Sequence, residues 1–154
     1  MKALSYRNIV IRDYNEDDYL DVINLKLKEK DEAELYNMAK LTSKEYLEWH
    51  LDTYWESTKV VLLSGIIIGI LGVSNGTIYF TTAEVSRGAS VNYVRMFKPA
   101  IEAIMVEAGI KELITYVDAT YESAVKWDEL CGFKKIKEVL INNNLFYIMK
   151  YKLP

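Results

Sequence analysis

Near its C-terminal end the chain passes from helix to strand across a single glycine. Ala124, Val125, Trp127, Leu130 and Cys131 carry an amphipathic helical pattern that stops at Gly132, and Phe133 opens a strand pattern. Glycine adopts the left-handed conformation that ends helices. With no linker between them, such a helix has to lie on the sheet that its strand enters, which demands a layered α/β fold. The order from residue 77 onward is strand, loop, helix, strand, helix, Gly-Phe, strand, strand.

The rest of the chain agrees with that demand. Residues 8–13 read as a strand. Asn15 then reads as an N-cap, with Glu16, Asp17 and Asp18 in the first turn, where negative charge suits the helix dipole. That role explains the acidic run without a metal. Leu20, Ile23, Leu25 and Leu27 give the following helix an apolar face. Ala33, Leu35 and Met38 are spaced for another short helix. Thr42 with Glu45 has capping-box spacing and starts a helix to about Tyr54, with Leu47, Leu51 and Tyr54 inward. His50, in that helix, reads as a surface or boundary residue. Residues 58–63 form a β-branched strand, Ser64-Gly65 a turn, and 66–73 an almost wholly apolar strand central in a sheet. Asn75-Gly76 is a strong hairpin signal, because both residues tolerate positive φ. Residues 77–84 complete a three-stranded antiparallel meander.

A helix over about 90–107 follows, with Val94, Phe97, Ile101, Ile104 and Met105 inward and Ser90 as its N-cap. Pro99 inside it predicts a kink, or a start near Lys98. Gly109 closes it, and 112–117 is the next strand, parallel to 77–84 because a helix connects them. The last helix spans 122–131. Strands 133–140 and 145–151 are an antiparallel pair joined by Asn142, Asn143 and Asn144. The sum is one domain, 1–154, of mixed α/β class, with about seven strands and helices on both faces.

Composition excludes several classes. The net charge of −3 argues against a nucleic-acid binder. One cysteine and one histidine leave no material for a disulfide or a Cys/His metal cluster. The longest apolar stretch, 60–73, is interrupted by Ser64, Gly65, Gly69 and Gly72 and is too short to span a bilayer. The N-terminal residues do not resemble a signal peptide, so a cytoplasmic protein is expected.

This order of elements resembles the GNAT (Gcn5-related N-acetyltransferase) fold across nearly the whole chain. Locally, Ala124, Trp127, Gly132 and Phe133 match the family's late helix. Tyr121 stands where Asn is common, and Asp128 stands where a proton-donating Tyr is frequent. The stretch 78–85 and the following Ser/Gly loop are similar to small GNAT-like proteins of T7-like short-tailed phages. The resemblance implies acetyl-CoA as acyl donor and an amine, on a small molecule or a peptide, as acceptor. It equally implies an alternative: a degenerate, non-catalytic phage protein acting in virion assembly or as an internal virion component, with virion proteins as partners.

Acyl transfer requires a pyrophosphate cradle, a slot for the pantetheine arm, a base and an acid. The resemblance puts the cradle at Val85, Arg87, Gly88, Ala89 and Ser90, where the family's second glycine is missing. Arg87 and Arg95 are candidate phosphate partners. Glu84, at a strand end beside the expected crevice, is the candidate base, directly or through water. Asp128 and Tyr121 are the candidate acids, with Tyr93 a further hydroxyl nearby. An exposed Asp128 would titrate near pH 4 and be a poor acid unless burial raised it. Cys131 reads as a small buried apolar residue. Tyr46, Trp49, Tyr54 and Trp55 are expected to cover the sheet on the acceptor side, with an oligomer or virion-partner surface as the other use.

Overall fold

The computed structural model of the protein describes residues 2–84 and 87–154, without the side chains of 87–91 and 93. Eight strands form one mixed sheet in the order β1-β2-β3-β4-β5-β6-β8-β7. The strands are β1 (Leu4–Tyr6), β2 (Ile9–Asp13), β3 (Thr58–Leu63), β4 (Ile66–Ser74), β5 (Thr77–Thr82), β6 (Glu112–Asp118), β7 (Lys134–Ile141) and β8 (Asn144–Lys152). The helices are α1 (Tyr19–Ile23), α2 (Glu29–Ala39), α3 (Ser43–Tyr54), α4 (Arg87–Ala108) and α5 (Glu122–Leu130). The strand beyond the expected seven is β1, three residues long and too short to show a period of two in sequence. Among the described residues, no helix is long and apolar enough to cross a membrane.

Two of the three expected caps form. Asn15 accepts from the Asp17 amide, and Thr42 and Glu45 exchange side-chain-to-backbone bonds. Arg12 grips Asp18 with both guanidinium nitrogens at 2.8 and 2.9 Å, which fixes the chain as it leaves β2. The two expected hairpin turns have positive φ at both residues: Ser64 and Gly65, then Asn75 and Gly76.

The sheet separates two apolar layers. On one face Ile11, Val61, Leu71 and Leu113 pack under Phe97, Ile101 and Met105 of α4, with Trp127 of α5 alongside. On the other, Val60 and Ile70 pack against Val22, Leu35, Tyr46, Leu47 and Leu51 of α1–α3. Neighbours on a strand therefore serve opposite layers, as the pleat requires. One register break interrupts this. Val61 faces Gly69 but Leu62 faces Ile67, so Ile68 bulges out of β4. The bulge turns Ile68 to the α4 layer, although simple alternation from Ile70 would put it in the other.

Several local expectations are corrected. Leu20 is exposed, because α1 ends at Ile23 and its short length lets only Val22 and Ile23 reach the core. Ala33 is exposed too. His50 is fully buried, against Thr58 and Gly72. α4 begins at Arg87, so Ser90 lies within its first turn rather than capping it. Pro99 sits inside α4, which does not start at Lys98.

Candidate active site

The slot is built by two strands that part. β5 and β6 are parallel neighbours with a single register pair, Thr77 with Ile114, supported by the Ile114 amide bonding the Gly76 carbonyl at 2.9 Å. Every other neighbouring pair in the sheet shares at least three. Beyond that contact a cavity of about 420 Å³ opens between them, lined continuously by residues 77–82 of β5 and 115–117 of β6. The backbone directions follow from the period of two. The Ala83 amide bonds Ile68 of β4, so the backbone of Thr82 and Phe80 points the other way, into the gap. The Ile114 amide points at β5, so those of Tyr116 and Asp118 do as well.

The cavity passes through the sheet. Its walls include Phe97, Trp127 and Phe133 from the α4–α5 layer and Leu35, Met38 and Tyr46 from the α2–α3 layer. Trp127 stacks on Phe80 with centroids 5.1 Å apart and meets Phe97 at 4.3 Å. This trio bridges the parted strands on one side; such aromatic pairs contribute about 0.5–1.5 kcal/mol each beyond burial. On the other side Leu27 makes an isolated bridge to Ala83, bringing the α1–α2 connection onto the end of β5.

Carboxylates gather at the α2 end. Asp31, Glu34 and Asp128 all line the cavity. Glu34 reaches the last residue of β6, where Oε2 accepts from the Asp118 amide at 3.0 Å. Asn37, three residues along the same helix, donates to Asp118 Oδ2 at 3.1 Å, and Thr120 donates to Oδ1 from both its amide and its hydroxyl. Burial opposes charge on Asp118, but those donors hold it below the ordinary range, so it stays ionised. Glu34 is different. Burial lifts its pKa to about 7, the Asp118 amide bond opposes the rise, and the charges of Asp31, Asp128 and Asp118 add to it. Burial, then the Glu129 charge, lifts Asp128 to about 7 as well.

The structure brings Asp128 and Tyr121 together in the cavity and leaves Glu84 outside its lining, exposed just past the end of β5. Tyr121 is not a free acid: it hydrogen-bonds Asp31, and burial followed by that carboxylate raises its pKa. Arg87, Gly88, Ala89 and Ser90 form the first turn of α4, their side chains outside the described residues, as is that of Tyr93. Val85 lies outside the described residues altogether. Arg95 reaches Tyr6 of β1 at 3.5 Å. Cys131 is buried, and burial first, then Asp128, pushes its thiol up to about 12. Sequence reasoning missed Glu34. Its signal was an acidic pair, Asp31 and Glu34, on the helical stripe that continues to Met38.

No family model matches the sequence, and neither does any curated protein. Solved structures do match. An acetyltransferase of the GNAT family from Bacillus anthracis is 11% identical with a TM-score of 0.71, covering 97% of this chain and 98% of that one. A spermidine N-acetyltransferase variant from Vibrio cholerae is 14% identical at 0.69, covering 96% and 95%. A described acetyltransferase from Salmonella typhimurium with its cofactor acetyl-CoA is 11% identical at 0.65, covering 96% and 95%. At such identities the likeness is one of architecture: this chain has the fold of the GNAT acetyltransferases.

Proposed function

We propose that the chain is an acyl-CoA-dependent N-acyltransferase that passes an acyl group, acetyl in the simplest form, to an amine. The observation that carries this is the parting of β5 and β6 after one register pair, with a cavity open to both helical layers. Strand edges with backbone facing a gap suit an extended, amide-bearing arm, which can add to them as a further strand would. The volume, about 420 Å³, lies in the range of small-molecule sites. Bound acyl-CoA would supply the activated thioester. Phe80, Thr82 and Tyr116 would hold its arm. The first turn of α4, with Val85, Arg87, Gly88, Ala89 and Ser90, would take the pyrophosphate. Two-sided access lets donor and acceptor meet from opposite layers of the sheet. The structural neighbours described with acetyl-CoA and with spermidine activity support both halves of the reading.

Within this reading Asp128 is the acid. Its pKa near 7 leaves a large protonated fraction at neutral pH, which removes the objection to a carboxyl in place of a tyrosine. Glu84, exposed at the strand end, would act through water.

A second reading is a GNAT-fold protein without catalysis, in the manner of a phage virion component. It is favoured by Ser90, which stands where the phosphate loop would have its second glycine, and by Asp128 in place of the family's tyrosine. One experiment separates the two. Acetyl-CoA at about a hundredfold excess over Kd is expected to stabilise the protein by about 2.7 kcal/mol. For a chain of this size that raises Tm by roughly 5–10 °C. Arg87→Glu is expected to weaken the effect. No shift at millimolar acetyl-CoA selects the non-catalytic reading.

A further inference from the structure

We propose that Glu34, on α2, is the general base that takes the proton from the acceptor amine. The inference rests on the acyltransferase reading and names a residue that neither the sequence pattern nor the fold likeness singles out.

The geometry assigns Glu34 this role in three steps. First, it stands where the reaction has to occur. The Asp118 amide it binds is the last on β6 and points toward β5, so Glu34 sits at the wide end of the slot, on the side of the α2–α3 layer. Second, it is oriented but not used up. One carboxylate oxygen is fixed by that amide at 3.0 Å, and among the described residues the other has no hydrogen-bond partner. A base needs that asymmetry: one atom held, one lone pair offered to the cavity. Third, α2 is itself pinned. Asn37 on the same helical face holds Asp118, whose carboxylate is tied to Thr120, so two bonds dock α2 onto the end of β6.

The charged and titratable groups around Glu34 explain its basicity. Asp31 lies one turn away on α2, with Lys28 just before that helix and Tyr121 bonded to Asp31. Asp118 comes from β6, Asp128 from α5 and Tyr46 from α3. Burial, with the charges of Asp31 and Asp118, makes Glu34 a stronger base than a solvated glutamate, while the Asp118 amide keeps it oriented. At neutral pH it is divided between its two forms, the condition for accepting a proton and returning it to solvent.

The atoms balance as follows. Glu34 takes one proton from the acceptor ammonium, freeing the nitrogen lone pair that forms the C–N bond to the acyl carbon. Asp128 gives its proton to the sulfur that departs, with the electron pair, as the C–S bond breaks. Asp128 then recovers a proton from the same nitrogen. Glu34 returns its proton to water, and the products are an amide and a free thiol.

Glu34→Gln is the test, because its amide oxygen still accepts from the Asp118 amide and the dock of α2 is kept. Three measurements go together: the acetyl-CoA thermal shift, ¹³C NMR titration of the glutamate carboxyls, and thiol release from acetyl-CoA with spermidine, lysine amide and an aminoglycoside as acceptors. The expected result has four parts. The thermal shift is unchanged. One carboxyl titrating near pH 7 disappears. kcat/KM falls by about 10²–10⁴ with the acceptor that reacts. The acidic limb of the wild-type pH profile vanishes. A Glu34 carboxyl titrating with the exposed glutamates, or release by the variant within about threefold of wild type, overturns the assignment. So does a wild-type chain that binds acetyl-CoA yet reacts with none of the three amines. A wild-type chain whose Tm ignores acetyl-CoA overturns the acyltransferase reading instead, and the NMR titration still reports on Glu34.

Discussion

At the scale of single residues, buried charge governs how the protein responds to pH. Glu34 and Asp128 have folded pKa values raised to about 7, above those of the unfolded chain. Their protonated forms favour the folded state, so that stability is complete below the unfolded carboxyl range and is lost as pH rises through about 7. Replacing either group with its neutral amide removes the loss. Glu34→Gln is expected to stabilise the protein at pH 8 by about 2 kcal/mol and to change little at pH 4.5, read as urea midpoints at the two values. A variant no more stable than wild type at pH 8 contradicts the buried, ionised Glu34. His50 works the other way. Burial lowers its pKa to about 4, so its contribution is present above the ordinary histidine range and lost as pH falls through 4. Thr58 gives its own hydroxyl proton to the Tyr54 carbonyl at 2.7 Å. The His50 Nε2, 3.0 Å from that hydroxyl oxygen, must therefore be the donor, leaving Nδ1 a buried acceptor without a partner among the described residues. None of this was legible in the sequence. A carboxylate or histidine on a helix reads as exposed until the elements packed over it are known.

At the scale of elements, β4 and β5 shape one wall of the slot, and glycine makes their approach possible. A Cβ at Gly69 would lie 2.6 Å from the Thr81 carbonyl oxygen and 3.2 Å from the Thr82 Cα. Both are backbone atoms, so the strands themselves would have to separate. Gly69→Ala is expected to cost on the order of 3 kcal/mol and to abolish the acetyl-CoA thermal shift, since residues 81 and 82 line the cavity. A variant with wild-type Tm and full shift would show that the contact yields cheaply. The N-cap at Asn15, the capping box at Thr42, both glycine-containing turns and the helix-to-strand passage at Gly132 were readable in sequence, because each rests on short-range backbone chemistry. Gly132 has φ of 98° and lies against Tyr151. The Ile68 bulge was not readable: in a wholly apolar strand, slipping by one residue leaves no mark in the polarity pattern.

At the scale of the whole molecule, the sheet is two blocks joined at one point. β1–β5 form an antiparallel run, β6–β8 another, and a single parallel register pair links them. The aromatic trio of Phe80, Phe97 and Trp127 ties the blocks on one face, and α2, bonded to Asp118, ties them on the other. A ligand bridging the gap should therefore change local exchange before it changes shape. On adding acetyl-CoA, the amides of Thr82 and Tyr116, which point into the gap, are expected to gain about tenfold in hydrogen-exchange protection, with those of β1–β3 unmoved. Equal protection across the sheet would mean that the ligand sits elsewhere.

The sequence by itself determined the elements and their order. Periodicity, caps and glycine turns are local signals, and a helix between two strands settles their parallel pairing. Tertiary structure alone decided which carboxylates line the slot. Glu34 and Asp118 are 84 residues apart, and Glu84, the acidic residue beside the slot in sequence, lies outside it in space. A pKa is set by what surrounds a group in three dimensions, and sequence distance carries no record of that.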